Sequence, residues 1–114
     1  MGWEGGAILD QSVNWNPPPE TDTEVRYWMR SKGWEVMGAD YDFERKIYTW
    51  NARSVRSGHS PSLSISQQVL VDFPAFALLE HLDRLEVAAA IRRRPDVQFM
   101  VVQNGQTVAL KEAV

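Results

Sequence analysis

Between Trp34 and Ser66 three β-patterned segments follow one another with only short turns between them, and connections that short force neighbouring strands to run antiparallel. Trp34 to Tyr41 reads as a strand and Asp42 to Arg45 as its turn. Lys46 to Arg53 reads as the returning strand, rich in β-formers at Ile47, Tyr48, Thr49 and Trp50. A loop over Ser54 to Ser60, containing Gly58, leads to Pro61 to Ser66. There Leu63 and Ile65 alternate with Ser62, Ser64 and Ser66, the period of two that marks a half-buried strand with its serine face toward water or a ligand. Pro61 donates nothing to a ladder, so it belongs at the start of that strand or at an edge.

Helical patterns flank this meander. Thr21 and Glu24 have the spacing of a capping box, Val25, Trp28 and Met29 share a face, and Asp22, Arg26 and Arg30 run down another. Gly33 supplies a left-handed terminus with Trp34 folding back onto Met29, which predicts a helix over about Asp22 to Lys32. After the meander, Ser66 caps a short helical turn over Gln67 to Asp72, and Pro74 stands where a further helix begins. Leu78, Leu79, Leu82 and Leu85 form its apolar seam. A break near Leu85 starts another helix, Glu86 to Arg94, closed by Arg92, Arg93 and Arg94 where the dipole favours cations and stopped by Pro95. Val97 to Val102 and Thr107 to Lys111 form a hairpin about Asn104 and Gly105. The order predicts an α+β fold: a three-strand meander plus a C-terminal hairpin in an antiparallel or mixed sheet, with helices on one face.

A chain of 114 residues with 44% hydrophobic and 24% charged content fits one globular domain. We assign residues 21–114 to it and 1–20 to an N-terminal arm, because Gly2, Gly5, Gly6 and Pro17 to Pro19 disfavour regular structure there. The arm also carries Trp3, Ile8, Leu9, Val13 and Trp15. That apolar surface calls for a partner in cis or in trans, which makes Trp3 and Trp15 candidate partner-binding residues.

Charge is sorted along the chain. Arg45 to Val71 is a run of 27 residues with no carboxylate, whereas Met1 to Glu44 sums to -6 in a protein of net charge -3. Lys46, Tyr48 and Trp50 fall on one strand face by period two, with Arg53, Arg56 and His59 at its loop end. Cations for phosphates beside rings for unstacked bases would make this a nucleic-acid interface. In the competing reading Tyr48 and Trp50 are core and the arginines are a solvated rim.

Catalysis finds no constellation. His59 and His81 lack partners at metal-ligand spacing, His59, Ser60 and Asp72 are no more than residue types that co-occur, and the glycines form no phosphate loop. No catalytic residue, metal site or cofactor is expected. Without cysteine, a targeting pattern or a bilayer-length apolar run, the expected setting is the cytoplasm, away from membranes. The resulting expectation is a small non-enzymatic protein that binds another protein through its aromatic arm and charge-polarised surface. The alternative is a nucleic-acid-binding module built on the basic aromatic meander, residues 45–66.

Overall fold

A computed structural model of the chain describes residues 15–112. Helix α1 spans Pro19–Ser31, followed by strands β1 (Trp34–Asp42), β2 (Ile47–Ser54) and β3 (Ser62–Ser66). Helices α2 (Gln67–Asp72), α3 (Ala75–Arg84) and α4 (Val87–Arg93) come next, then β4 (Phe99–Asn104) and β5 (Thr107–Glu112). The strands lie in chain order in one sheet. All neighbours are antiparallel except β3 and β4, whose parallel pairing is bridged by the three helices α2 to α4. This is the expected α+β architecture, with a mixed sheet.

Helix α1 starts earlier than its sequence pattern indicates. Pro19 sits at the first helical position, where a missing N–H and a fixed φ cost nothing, and the amide of Asp22 donates to the Pro18 carbonyl at 3.1 Å. Thr21 therefore lies inside the first turn, buried, and the expected capping box with Glu24 does not form. Pro19 and Glu20, read as arm, belong to the helix. At the other end Gly33 adopts φ +93° and its amide donates to Arg30. Trp34 then turns into the core, its ring meeting that of Trp28 edge-on at 6.3 Å.

Period two separates the two sheet faces. Tyr48, Trp50 and Ala52 of β2 point the same way as Leu63 and Ile65 of β3, Phe99 and Val101 of β4 and Val108 of β5. These residues form one cluster with Val25 and Met29 of α1, Val69 and Leu70 of α2, Leu78 and Leu82 of α3, and Val87 and Ile91 of α4. The helices thus cover that face. In β1 the register slips between Val36 and Gly38, so Met37 is an extra, exposed residue in a bulge on an edge strand.

The serine row on the opposite face differs from its expectation at the centre. Ser64 is fully buried: Gln98 Nε2 donates to its Oγ at 2.9 Å, and the hydroxyl of Thr49 lies 2.7 Å away. A hydroxyl on an interior strand, flanked by two neighbours and crossed by a glutamine, is used up by the sheet itself. The C-terminal hairpin also turns one residue later than expected. Asn104 pairs with Thr107, leaving Gly105 and Gln106 as the loop, with Gly105 at φ +61° supplying the left-handed position. The Ser66 cap and the break after α3 are as expected: Val69 N–H donates to Ser66 Oγ at 3.3 Å, and Glu86 stands at φ 55° between α3 and α4.

Two indole N–H groups at the core boundary are satisfied by carboxylates from other elements. Trp50 Nε1 donates to Asp22 Oδ1 at 2.9 Å and Trp28 Nε1 to Asp83 Oδ1 at 3.0 Å, tying α1 to β2 and α1 to α3. Arg26 holds both oxygens of Asp22, at 3.0 and 3.1 Å. Asp22→Ala removes the acceptor of a fully enclosed indole, and we expect it to cost about 1–3 kcal/mol in a denaturant titration. Arg26→Ala breaks an exposed i,i+4 pair and is expected to cost about 0.5 kcal/mol or less by the same measurement.

Candidate functional site: a cationic cleft at one end of the sheet

Strand β2 leaves the sheet at Ser54, and the chain returns to it at Pro61 through a loop pinned at several points. Ser54 N–H donates to His59 O at 2.7 Å, Ala52 N–H to Pro61 O at 2.9 Å, and Val55 N–H to Gly33 O at 3.2 Å, which fastens the loop to the end of α1. Gly58, at φ +77°, makes the reversal. The C-terminal ends of α1 and α4 meet this loop. Between the three lies an open cleft of about 820 Å3 whose walls include Lys32, Trp34, Arg56, His59 and Arg92, with Ser31, Ser54 and Ser57.

Among the described residues no carboxylate lines the cleft. Arg92 is held against the wall, its guanidinium carbon 5.6 Å from the centre of the Trp34 ring and its Nη2 donating to Lys32 O at 3.2 Å. Lys32 is half-buried, its ammonium 3.7 Å from the Asp83 carboxylate and 5.4 Å from the centre of the Trp28 ring. Arg56 and His59 are exposed and make no ion pair among the described residues. Cations at helix C-termini are accounted for by the dipole alone, which covers Lys32 and Arg92. Arg56 and His59 belong to no helix. Their arrival at the same cleft is the unexplained part, and it is what marks the site.

The fold divides the carboxylate-free stretch rather than presenting it as one face. Strand β2 is about 25 Å long at ~3.4 Å per residue, with Arg45 and Lys46 at one end and Arg56 and His59 at the other. Lys46 does not share a strand face with Tyr48 and Trp50; it stands in the turn before β2 at φ 54°, exposed. Tyr48 is 7% exposed and Trp50 0%, so neither ring is open to a base. The stacking platform of the nucleic-acid reading is therefore core. Arg53 projects from the sheet face away from the helices, directly opposite Glu35 in register. Of the three adjacent arginines, Arg92 enters the cleft, Arg94 pairs with Glu112 at 3.2 Å, and Arg93 is exposed.

Trp15 is also accounted for within the chain. It is half-buried, its ring 5.5 Å from that of Tyr41 and 6.3 Å from that of Tyr48, while Tyr48 Oη donates to Asn16 Oδ1 at 3.4 Å. Trp3 lies outside the described residues. Lys32, Trp34 and Arg92 were not picked out as site residues by the sequence, because each has a sufficient role as a helix end or core residue.

The far end of the sheet behaves differently. In the turn joining β1 and β2, Arg45 Nε donates to Asp42 Oδ2 at 2.9 Å, and the amides of Glu44 and Arg45 reach Oδ1 at 3.0 and 3.1 Å. The Arg45 side chain, then its backbone amide, hold the Asp42 carboxyl below the ordinary 3.8. A depressed carboxylate supports the turn above its unfolded value, and that support is lost as pH falls through the lower folded one. We expect a carboxyl 13C titration to place the Asp42 midpoint below 3.8, and Arg45→Ala to move it upward. For Tyr48, burial and then the charge of Asp22 push the phenol up, so its contribution holds below the unfolded tyrosine value and is lost as pH rises through the raised one.

Among the described residues no group of His, Cys, Asp or Glu is placed to hold a metal ion, and no helix is long and apolar enough to cross a membrane. What the cleft offers chemically is positive charge, donors and a rigid wall. No protein-family model, curated protein or solved structure matches this chain.

Proposed function

We propose that this chain is a non-enzymatic interaction protein that binds an acidic segment of another protein in the cleft between α1, α4 and the β2–β3 loop. The observation that carries the reading is the convergence of Lys32, Arg56, His59 and Arg92 from three separate segments on one cleft that no carboxylate of the described residues lines. Clustered charge of one sign steers an oppositely charged partner and fixes its orientation, and a guanidinium already seated against Trp34 loses little freedom on binding. In a protein of net charge -3, a local cluster of cations is what distinguishes this cleft as a place for an acidic partner.

The test is an affinity recovery from source-cell lysate with the wild-type chain and with the Arg56→Ala/Arg92→Ala variant, each with and without nuclease. Recovery of a protein that survives nuclease and is lost with the double variant supports the reading. A protein recovered equally by both chains, or material lost only on nuclease treatment, contradicts it.

A further inference from the structure

We infer that the group the cleft receives is a phosphoryl monoester on a side chain of the partner protein, rather than a carboxylate. This rests on the protein-binding reading of the same cleft. Three observations carry it. The first is charge: two arginines and a lysine line the cleft with His59, and among the described residues Lys32 alone has a carboxylate partner, Asp83 at 3.7 Å. A carboxylate brings one negative charge, whereas a phosphoryl monoester brings nearly two and three acceptor oxygens that receive donors from several sides.

The second is the direction of approach. The cations come from three separate segments, the end of α1, the β2–β3 loop and the end of α4, instead of from one continuous strand or helix. A nucleic-acid strand presents a row of phosphates and needs a row of cations, preferably with open rings beside it. Here the line from the cleft toward the far end of β2 passes Asp40 and Glu35, Arg45 is taken by Asp42, and Tyr48 and Trp50 are enclosed. The arrangement suits one isolated dianion. The third is preorganisation: Arg92 is held by Trp34 beneath it and by the Lys32 carbonyl through Nη2, which leaves its other N–H groups free to form a fork on a tetrahedral anion.

The test uses the full chain, labelled with 15N and titrated at constant ionic strength with phenyl phosphate and, separately, with benzoate. We expect saturable amide shifts over residues 31–34, 54–61 and 91–95 with phenyl phosphate, and binding of benzoate weaker by about tenfold. Arg56→Ala and Arg92→Ala should each weaken phenyl phosphate by about tenfold, whereas Arg45→Ala should leave it unchanged. Arg56 is exposed and makes no ion pair among the described residues, so its variant keeps the test valid even if loss of Arg92 disturbs Trp34. A pool of phosphoserine peptides with degenerate flanks is then compared with the same pool carrying serine, and with a 5′-phosphorylated single-stranded oligonucleotide. Preference for the phosphoserine pool supports the inference. Equal binding of phenyl phosphate and benzoate, or shifts indifferent to Arg56→Ala, overturns it, as does tighter binding of the oligonucleotide. If phosphate selectivity fails while recovery of a protein still depends on Arg56 and Arg92, the inference falls and the protein-binding reading stands.

Discussion

Trp50→Ala is expected to destabilise the domain by about 3–5 kcal/mol, the largest effect of any single substitution considered for this chain. Trp50 is 0% exposed and is the largest fully buried side chain, seated between Tyr48, whose ring lies 4.9 Å away, and the underside of α1. Its removal leaves a cavity at the centre of the cluster and also strips Asp22 of the indole donor that joins helix to sheet. A domain of this size has a stability of about 5–15 kcal/mol, so the loss takes away a large share of the total. The denaturant midpoint should fall sharply, and Trp50→Phe, which keeps most of the ring and loses the N–H, should lie between the variant and wild type. A Trp50→Ala midpoint equal to wild type would place the ring on the surface and reopen the basic meander as a stacking face.

Reversing charge in the cleft is expected to have the largest effect on binding. In Arg56→Glu/Arg92→Glu two cations facing an acidic segment become two carboxylates, and like charges set opposite one another cost several kcal/mol, or about 100-fold or more in affinity. Both side chains are exposed, but Arg92→Glu also gives up the contacts with Trp34 and the Lys32 carbonyl, so the thermal midpoint of each single variant is measured beside its affinity. For the wild-type complex, affinity should fall as salt rises, since exposed charges are screened within about 10 Å at 0.1 M ionic strength. Arg45→Glu at the far turn is the matched control. It changes the same net charge per substitution without touching the cleft, so an equal loss of binding there would show a net-charge effect and not a site.

Elements were legible in the sequence where a local signal sufficed. Gly33, Ser66, the break near Leu85 and the alternation around Leu63 and Ile65 each act over a few residues, and each produced the structure it indicates. The start of α1 is less legible, because Thr21 and Glu24 have the spacing of a cap while Pro19 satisfies the geometry of a first helical position three residues before Asp22. The burial of Ser64 is not legible, because alternation reports which face a residue occupies, not whether Gln98 crosses it. The cleft was illegible for a deeper reason. Arg56 and Arg92 are separated by the whole of β3, α2 and α3, and only the parallel pairing of β3 with β4, which returns the chain to the same end of the sheet, brings them together. The basic stretch looked continuous because Arg45 and Arg56 are close in sequence, yet an extended strand is the conformation that holds them farthest apart.

The site claim is tested most directly by where a partner touches the chain. A photo-reactive amino acid placed at Ser57, in the wall of the cleft, and separately at Thr107, at the opposite end of the sheet, reports contact at each position in source-cell lysate. Cross-linking of a protein at position 57, reduced by Arg92→Ala and absent at position 107, is the result expected of a partner seated in the cleft. Cross-linking of that protein at position 107 with none at position 57 would contradict it.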